Sequence, residues 1–144
     1  MATDRTAEVT WHGDLRSGGG RIDKVGSGAF GGLDVDWRAR SEDGQSDTSP
    51  EELLAAAHAA CLSMALSNGL AQAGHTADEL KTSARVTFQP GEGITKIALQ
   101  VTGNVPGMSQ DDFRQAAETA KENCPVSKAL AGVPEISLDA RLQG

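Results

Sequence analysis

The first third of the chain alternates polar and apolar residues and is broken by glycine, in AEVTWHGD, GRIDKVG and GGLDVDWRAR. A period of two sends successive side chains to opposite faces of a strand, and glycine allows tight turns, so three short strands are predicted here. VDWRAR reads as the tail of the third, with Arg38 and Arg40 on the face opposite Val35, Trp37 and Ala39. SEDGQSDTS, a polar run rich in turn formers, follows as a loop. Ser49-Pro50-Glu51-Glu52 then has the form of a capping box, with serine at the cap, proline at the first helical position and glutamate three residues on. Beyond it LLAAAHAACLSMALSNGLAQAG is apolar almost all round a helix, interrupted by His58, Ser63, Ser67, Asn68 and Gln72 and stopped at Gly74. Such a helix is expected to be central and buried.

Two further alternating segments lie in ELKTSARVTFQPGEGITKIALQVTGNV, and Gln89-Pro90-Gly91-Glu92-Gly93 between them predicts the turn of a long hairpin. Helical spacing returns through Met108, Phe113, Ala116, Ala117 and Ala120, with Ser109 as the cap and acidic residues in the first turn. A second short helix, PVSKALAG, starts after Cys124 and stops at Gly132, and Ile136, Leu138, Ala140 and Leu142 mark a last strand with one buried face. These elements predict one α+β domain over residues 1–144, with antiparallel sheets packed on a long buried central helix.

A length of 144 residues with 38% hydrophobic content suits a single domain with a real core. Twenty acidic residues against thirteen basic ones give a formal charge of -7, which repels nucleic acid and membrane phosphates, so neither is expected as a partner. The first twenty residues hold no apolar stretch fit for a signal peptide or membrane helix, and the expected location is the cytoplasm. Two cysteines are too few for a secreted disulfide framework or a thiolate zinc site; in a reducing cytosol such a pair is either inert or reactive. Cys61, in mid-helix, reads plainly as a small hydrophobe filling a core gap. Cys124 lies between Asn123 and Pro125 at the start of a short helix, where the dipole favours a thiolate. The two stand 63 residues apart with no CxxC motif, so only the fold could pair them. Of His12, His58 and His75, only His58 shares a helical face with Cys61, three residues away; it either tunes the sulfur or is a packed or interface histidine.

The stretch TSPEELLAAAHAACLSMALS, Thr48 to Ser67, and the later CPVSKAL, Cys124 to Leu130, resemble the two cysteine motifs of the OsmC/Ohr peroxidases, in the same order. The order of strands, long helix, hairpin, helices and final strand fits that family along nearly the whole chain, and AHAAC with SMALS is nearer its OsmC branch. Leu62 stands where the family often has phenylalanine and Ser49 where asparagine is common. The resemblance implies that the Cys61 thiolate attacks a hydroperoxide, becoming a sulfenic acid, and that Cys124 condenses with it to an intramolecular disulfide. Organic hydroperoxides are the expected substrates, with hydrogen peroxide a further candidate, in defence against oxidative stress. An external dithiol, of lipoyl type, would reopen the disulfide, and no metal or organic cofactor is implied. The resemblance also implies a glutamate, matched by Glu51, and an arginine from the strand before the helix, matched by Arg40 with Arg38 in reserve.

Glu51 and Cys61 on one helix are ~15 Å apart along its axis at 1.5 Å per residue, too far to share one arginine. Two copies of the helix crossing antiparallel near Ala56 would bring Glu51 of one beside Cys61 of the other, and the small residues of AAAHAA permit that approach. The intertwined homodimer implied by the resemblance, with active sites at the subunit interface, agrees with this geometry. Two alternatives remain: a stress or binding protein of the same fold without peroxidase turnover, and acyl transfer. Acyl transfer would want a general-base histidine with an orienting carboxylate and an oxyanion hole, for which the sequence shows no local signature.

Overall fold

The computed structural model describes residues 1–143. In chain order the elements are β1 (Ala7–His12), β2 (Gly19–Val25), β3 (Leu33–Val35), α1 (Trp37–Ser41), α2 (Pro50–Gln72), β4 (Glu79–Gln89), β5 (Gly93–Asn104), α3 (Gln110–Asn123), α4 (Pro125–Ala129) and β6 (Glu135–Leu142). Contacts gather into two compact units divided between Leu53 and Leu54, each with a three-stranded sheet.

The first unit holds the antiparallel sheet β1-β2-β3, paired in the register Trp11 with Gly20 and Ile22 with Leu33. The three predicted strands are present, but the third ends at Val35 and the residues expected as its tail are α1. Asp36 decides this: in extended conformation, its carboxylate accepts the Ala39 N–H at 2.7 Å and starts a helical turn. Among the hydrophobic residues of this unit only Ile22 is in the buried core, while Val9, Trp11, Phe30 and Leu33 are exposed.

The second unit carries β4-β5-β6. β4 and β5 form the predicted hairpin, its turn closed by Glu92 N–H to Gln89 O at 2.9 Å, with Gly91 and Gly93 at φ 86 and 99. β6, however, pairs with β5 in parallel, Leu99 beside Leu138 and Val101 beside Ala140, so this sheet is mixed and not wholly antiparallel as expected. A tight turn reverses direction, whereas the long crossover through α3 and α4 returns the chain to the end it left. Ser109 caps α3 as predicted, accepting the Asp112 N–H at 3.1 Å. α3 sends Phe113, Ala117 and Ala120 into a core shared with Leu62, Leu66 and Leu70 of α2 and with Ile97, Leu99, Val101 and Ala140 of the sheet.

α2 begins at the predicted cap, the Ser49 hydroxyl accepting the Glu52 N–H at 3.1 Å, but the Glu52 carboxylate takes the Thr48 hydroxyl at 2.8 Å, so the serine half of the predicted capping box is present and the glutamate half is replaced. Its burial departs from expectation. One stripe, His58, Leu62, Leu66 and Leu70, is buried at a spacing of four; Ala56, Ala57, Ala60 and Met64 face outward, Met64 being 74% exposed. A helix apolar all round thus buries a single stripe within its own chain. By length and composition α2 could cross a membrane, a test that a protein's core helix also passes, and one stripe of α2 packs in the core against the sheet.

Candidate active site

In the first unit α1 and the start of α2 bring Arg40 to Glu51. Arg40 Nε donates to Glu51 Oε1 at 3.0 Å and Oε2 at 3.1 Å, and a terminal guanidinium nitrogen donates to Oε2 at 3.0 Å. This forked pairing suits the planar guanidinium. The Glu51 side chain is 8% exposed and that of Arg40 33%. Arg38 instead pairs with Glu42, one helical turn on, and both are largely exposed. Strand alternation had put the two arginines on one face; on a helix two residues are about 200° apart, so the turn at Asp36 sends them to different partners.

In the second unit the fold brings together the two cysteines that the sequence separates. Both are free thiols, near enough for one to hydrogen-bond the other. Cys61 is half-buried and lines a cleft of 620 Å³ with Met64, Asn68, Gln115, Thr119 and Pro125. Cys124 is 0% exposed, held where α3 ends and α4 begins: its N–H donates to Ala120 O at 2.8 Å and its carbonyl accepts from Lys128 N–H at 3.0 Å. Its side chain makes no closed cap on α4, but the amides of Val126 and Ser127 and the Ser127 hydroxyl face the sulfur.

Those contacts separate the two thiols. Burial pushes Cys124 up, but the hydrogen bond with Cys61 and the donors of Ser127 and Val126 outweigh it, and its pKa falls below the ordinary 9.0. Burial pushes Cys61 up, the hydrogen bond with Cys124 and the Cys124 charge add to that, and the Val126 amide offsets only part, so its pKa rises. The helix-start argument for Cys124 thus agrees in direction with its surroundings, and no cation is among the influences on Cys61. His58, wholly buried, sets Nε2 2.7 Å from Ser127 Oγ, while its Nδ1 is buried without a partner. Burial also lowers its pKa below 6.5. Ser127 was not singled out from the sequence; the signal available was its place three residues after Cys124 at a helix start, where an N–H and a hydroxyl both turn back towards the cap. Among the described residues no three His, Cys, Asp or Glu side chains gather as a metal site.

A family profile described as OsmC-like protein matches residues 41–139. The chain is 39% identical to peroxiredoxin OsmC of Escherichia coli strain K12, over 99% of each chain. It is 31% identical to organic hydroperoxide resistance protein-like 2 of Staphylococcus epidermidis, over 69% of this chain and 72% of that one. In structure it superposes on an organic hydroperoxide resistance protein from Elizabethkingia anophelis with a TM-score of 0.71, covering 99% of this chain and 100% of that one at 24% identity, a likeness of fold.

Proposed function

The chain belongs to the OsmC-like family, and on that premise we infer that it is a cysteine-based hydroperoxide reductase of oxidative-stress defence, with Cys61 attacking the peroxide and Cys124 resolving it. The observation that carries this reading is the unequal access of two adjacent thiols: Cys61 opens on a cleft and Cys124 is sealed. The Cys61 thiolate attacks the terminal peroxide oxygen, the O–O bond breaks, and the departing alkoxide or hydroxide takes a proton and leaves as alcohol or water. Cys61, now a sulfenic acid, already has the second thiol beside it. The apolar side of the cleft, Met64 and Pro125, suits the carbon chain of an organic hydroperoxide. A dithiol of lipoyl type from outside the chain then reopens the disulfide by exchange.

A thiolate at Cys61 needs a positive charge that its own unit does not supply, and Arg40, oriented by Glu51, is the group assigned to it. Glu51 and Cys61 lie ten residues apart on one helix, ~15 Å at 1.5 Å per residue. The charge therefore comes from a second copy, in a homodimer crossing at the exposed small-residue face around Ala56. The outward face of α2 and the thin core of the first unit support this assembly: exposed apolar residues of both would be covered by a partner. The chain acts as one domain, since the division at Leu53 falls inside a helix and not in a linker, and it works in the cytoplasm, where dithiol reductants are maintained.

The raised pKa of Cys61 within a single chain favours a second reading, a stress or binding protein of this fold without turnover. One experiment separates them. With one equivalent of cumene hydroperoxide, the peroxidase loses both thiols and about 2 Da as the disulfide closes; thiols that survive leave only the binding protein. Cys61→Ser is expected to abolish turnover, whereas Cys124→Ser should stop at a sulfenic acid that a dimedone-type probe captures. Identical behaviour of the two variants would reverse or remove the assigned roles.

A further inference from the structure

We propose that His58 and Ser127 form a buried donor chain that poises Cys124 for disulfide closure, making both of them positioning residues for the second step of the cycle. The inference rests on the reading of Cys124 as the resolving thiol and adds two side chains that reading does not use. His58 is wholly buried, has one polar contact, Nε2 to Ser127 Oγ at 2.7 Å, and leaves Nδ1 unpartnered.

That orphaned nitrogen gives the chain its direction. A buried N–H without an acceptor is rarer and costlier than a bare lone pair, so Nδ1 carries the lone pair and Nε2 the proton. Burial keeps the ring neutral, as its lowered pKa requires. Nε2–H then donates to Ser127 Oγ, which leaves the Ser127 hydroxyl proton free to turn to the neighbouring Cys124 sulfur, three residues before it at the start of α4. Ser127 is itself buried, so water does not compete for its hydroxyl and each bond in the series polarises the next.

Closure of the disulfide is where this matters. Cys124 gives up its proton and its sulfur lone pair forms the bond to Cys61 Sγ; the S–O bond of the sulfenic acid breaks with its electron pair, and the departing hydroxide takes up a proton as water. Cys124 is oxidised and the Cys61 sulfur is reduced in that step, with the peroxide as the original oxidant. A hydroxyl donor beside Cys124 favours the thiolate that attacks, whereas at Cys61 it acts only through the Cys124 charge, which disfavours the Cys61 thiolate.

The test is rapid-mixing kinetics with cumene hydroperoxide on the full chain, following sulfenic acid formation and its disappearance separately. Ser127→Ala and His58→Leu are expected to slow closure about ten-fold, the loss of one hydrogen bond to a charged group, with the first step not slowed. His58→Gln, whose side-chain amide can place an N–H where Nε2 stands, is expected to restore most of the rate, a rescue that simple packing would not give. In a Cys61→Ser background, ultraviolet titration of the Cys124 thiolate should show its pKa raised by Ser127→Ala. Should Ser127→Ala fail to fold, the His58 pair decides. Closure at the parent rate in Ser127→Ala, or equal rates for His58→Leu and His58→Gln, would overturn the proposal. Absence of any sulfenic acid in the unsubstituted protein would instead sink the peroxidase reading and the closure role with it, leaving the titration to decide whether the donor chain acts on Cys124.

Discussion

Arg38 and Arg40 differ less in chemistry than in surroundings. Arg40 grips a carboxylate that is 8% exposed, and Arg38 one in open solvent. Removing one member of the sheltered pair strands the other, so Arg40→Ala is expected to cost about 1–3 kcal/mol in denaturant unfolding and to slow peroxide reduction steeply. Arg38→Ala should change stability by less than about 0.5 kcal/mol and leave turnover intact, as exposed pairs contribute little. His58 carries a pH signature. The folded chain holds it neutral, with a pKa below the unfolded value of 6.5, so the unfolded state binds more protons just below that value. Stability contributed by this group is full above pH 6.5 and is lost as pH falls towards the lowered folded value, by up to about 1.4 kcal/mol per pH unit. Urea titrations across that range should show the slope in the parent chain and its loss in His58→Gln. Residue identities made both cysteines visible as candidates in the sequence, and the family resemblance added Glu51 and the two arginines. Position in the motif favoured Arg40 over Arg38, but alternation could not separate them, because VDWRAR fits a strand as well as it fits five residues of helix; the overlooked sign was Asp36, a helix-capping residue before them.

Elements with long, consistent patterns were legible: the Ser49 cap and the stop of α2, the glycine-rich turn between β4 and β5, the Ser109 cap of α3 and the alternation of β6. The direction of β6 was not, since alternation has the same period in parallel and antiparallel strands and only the path of the crossover orients it. Packing between elements also sets one small residue whose reason the sequence conceals. Gly103, one residue before the end of β5, has the Phe113 ring where a side chain would begin, with an added Cβ only 2.5 Å from Phe113 Cζ. Gly103→Ala is therefore expected to push Phe113 out of its place and cost about 1–3 kcal/mol. A chemical denaturation curve with an unchanged slope and a lower midpoint would report it, and an unaltered midpoint would show that α3 moves aside freely.

For the molecule as a whole, the hydrophobic pattern of α2 promises more burial than one chain provides. Ala56→Glu puts a charge on the exposed face, where the single chain has room for it, yet it would obstruct two helices crossing closely. The expected outcome is a sedimentation shift from dimer to monomer together with loss of peroxidase activity; a fully active monomer would remove the shared-site assignment. The amino-acid sequence by itself determined most of the helices and strands, α1 excepted, because period, caps and turn glycines act over a few neighbours, and it offered two cysteines and, through the family resemblance, a glutamate and two arginines as candidates. Tertiary structure alone decided that Cys61 is reachable while Cys124 is sealed, that Arg40 grips Glu51 while Arg38 pairs with Glu42, and that His58 meets Ser127 close to Cys124. These relations join residues as many as 69 positions apart, and proximity across such a span is set by how helices and sheet pack, which no local pattern encodes.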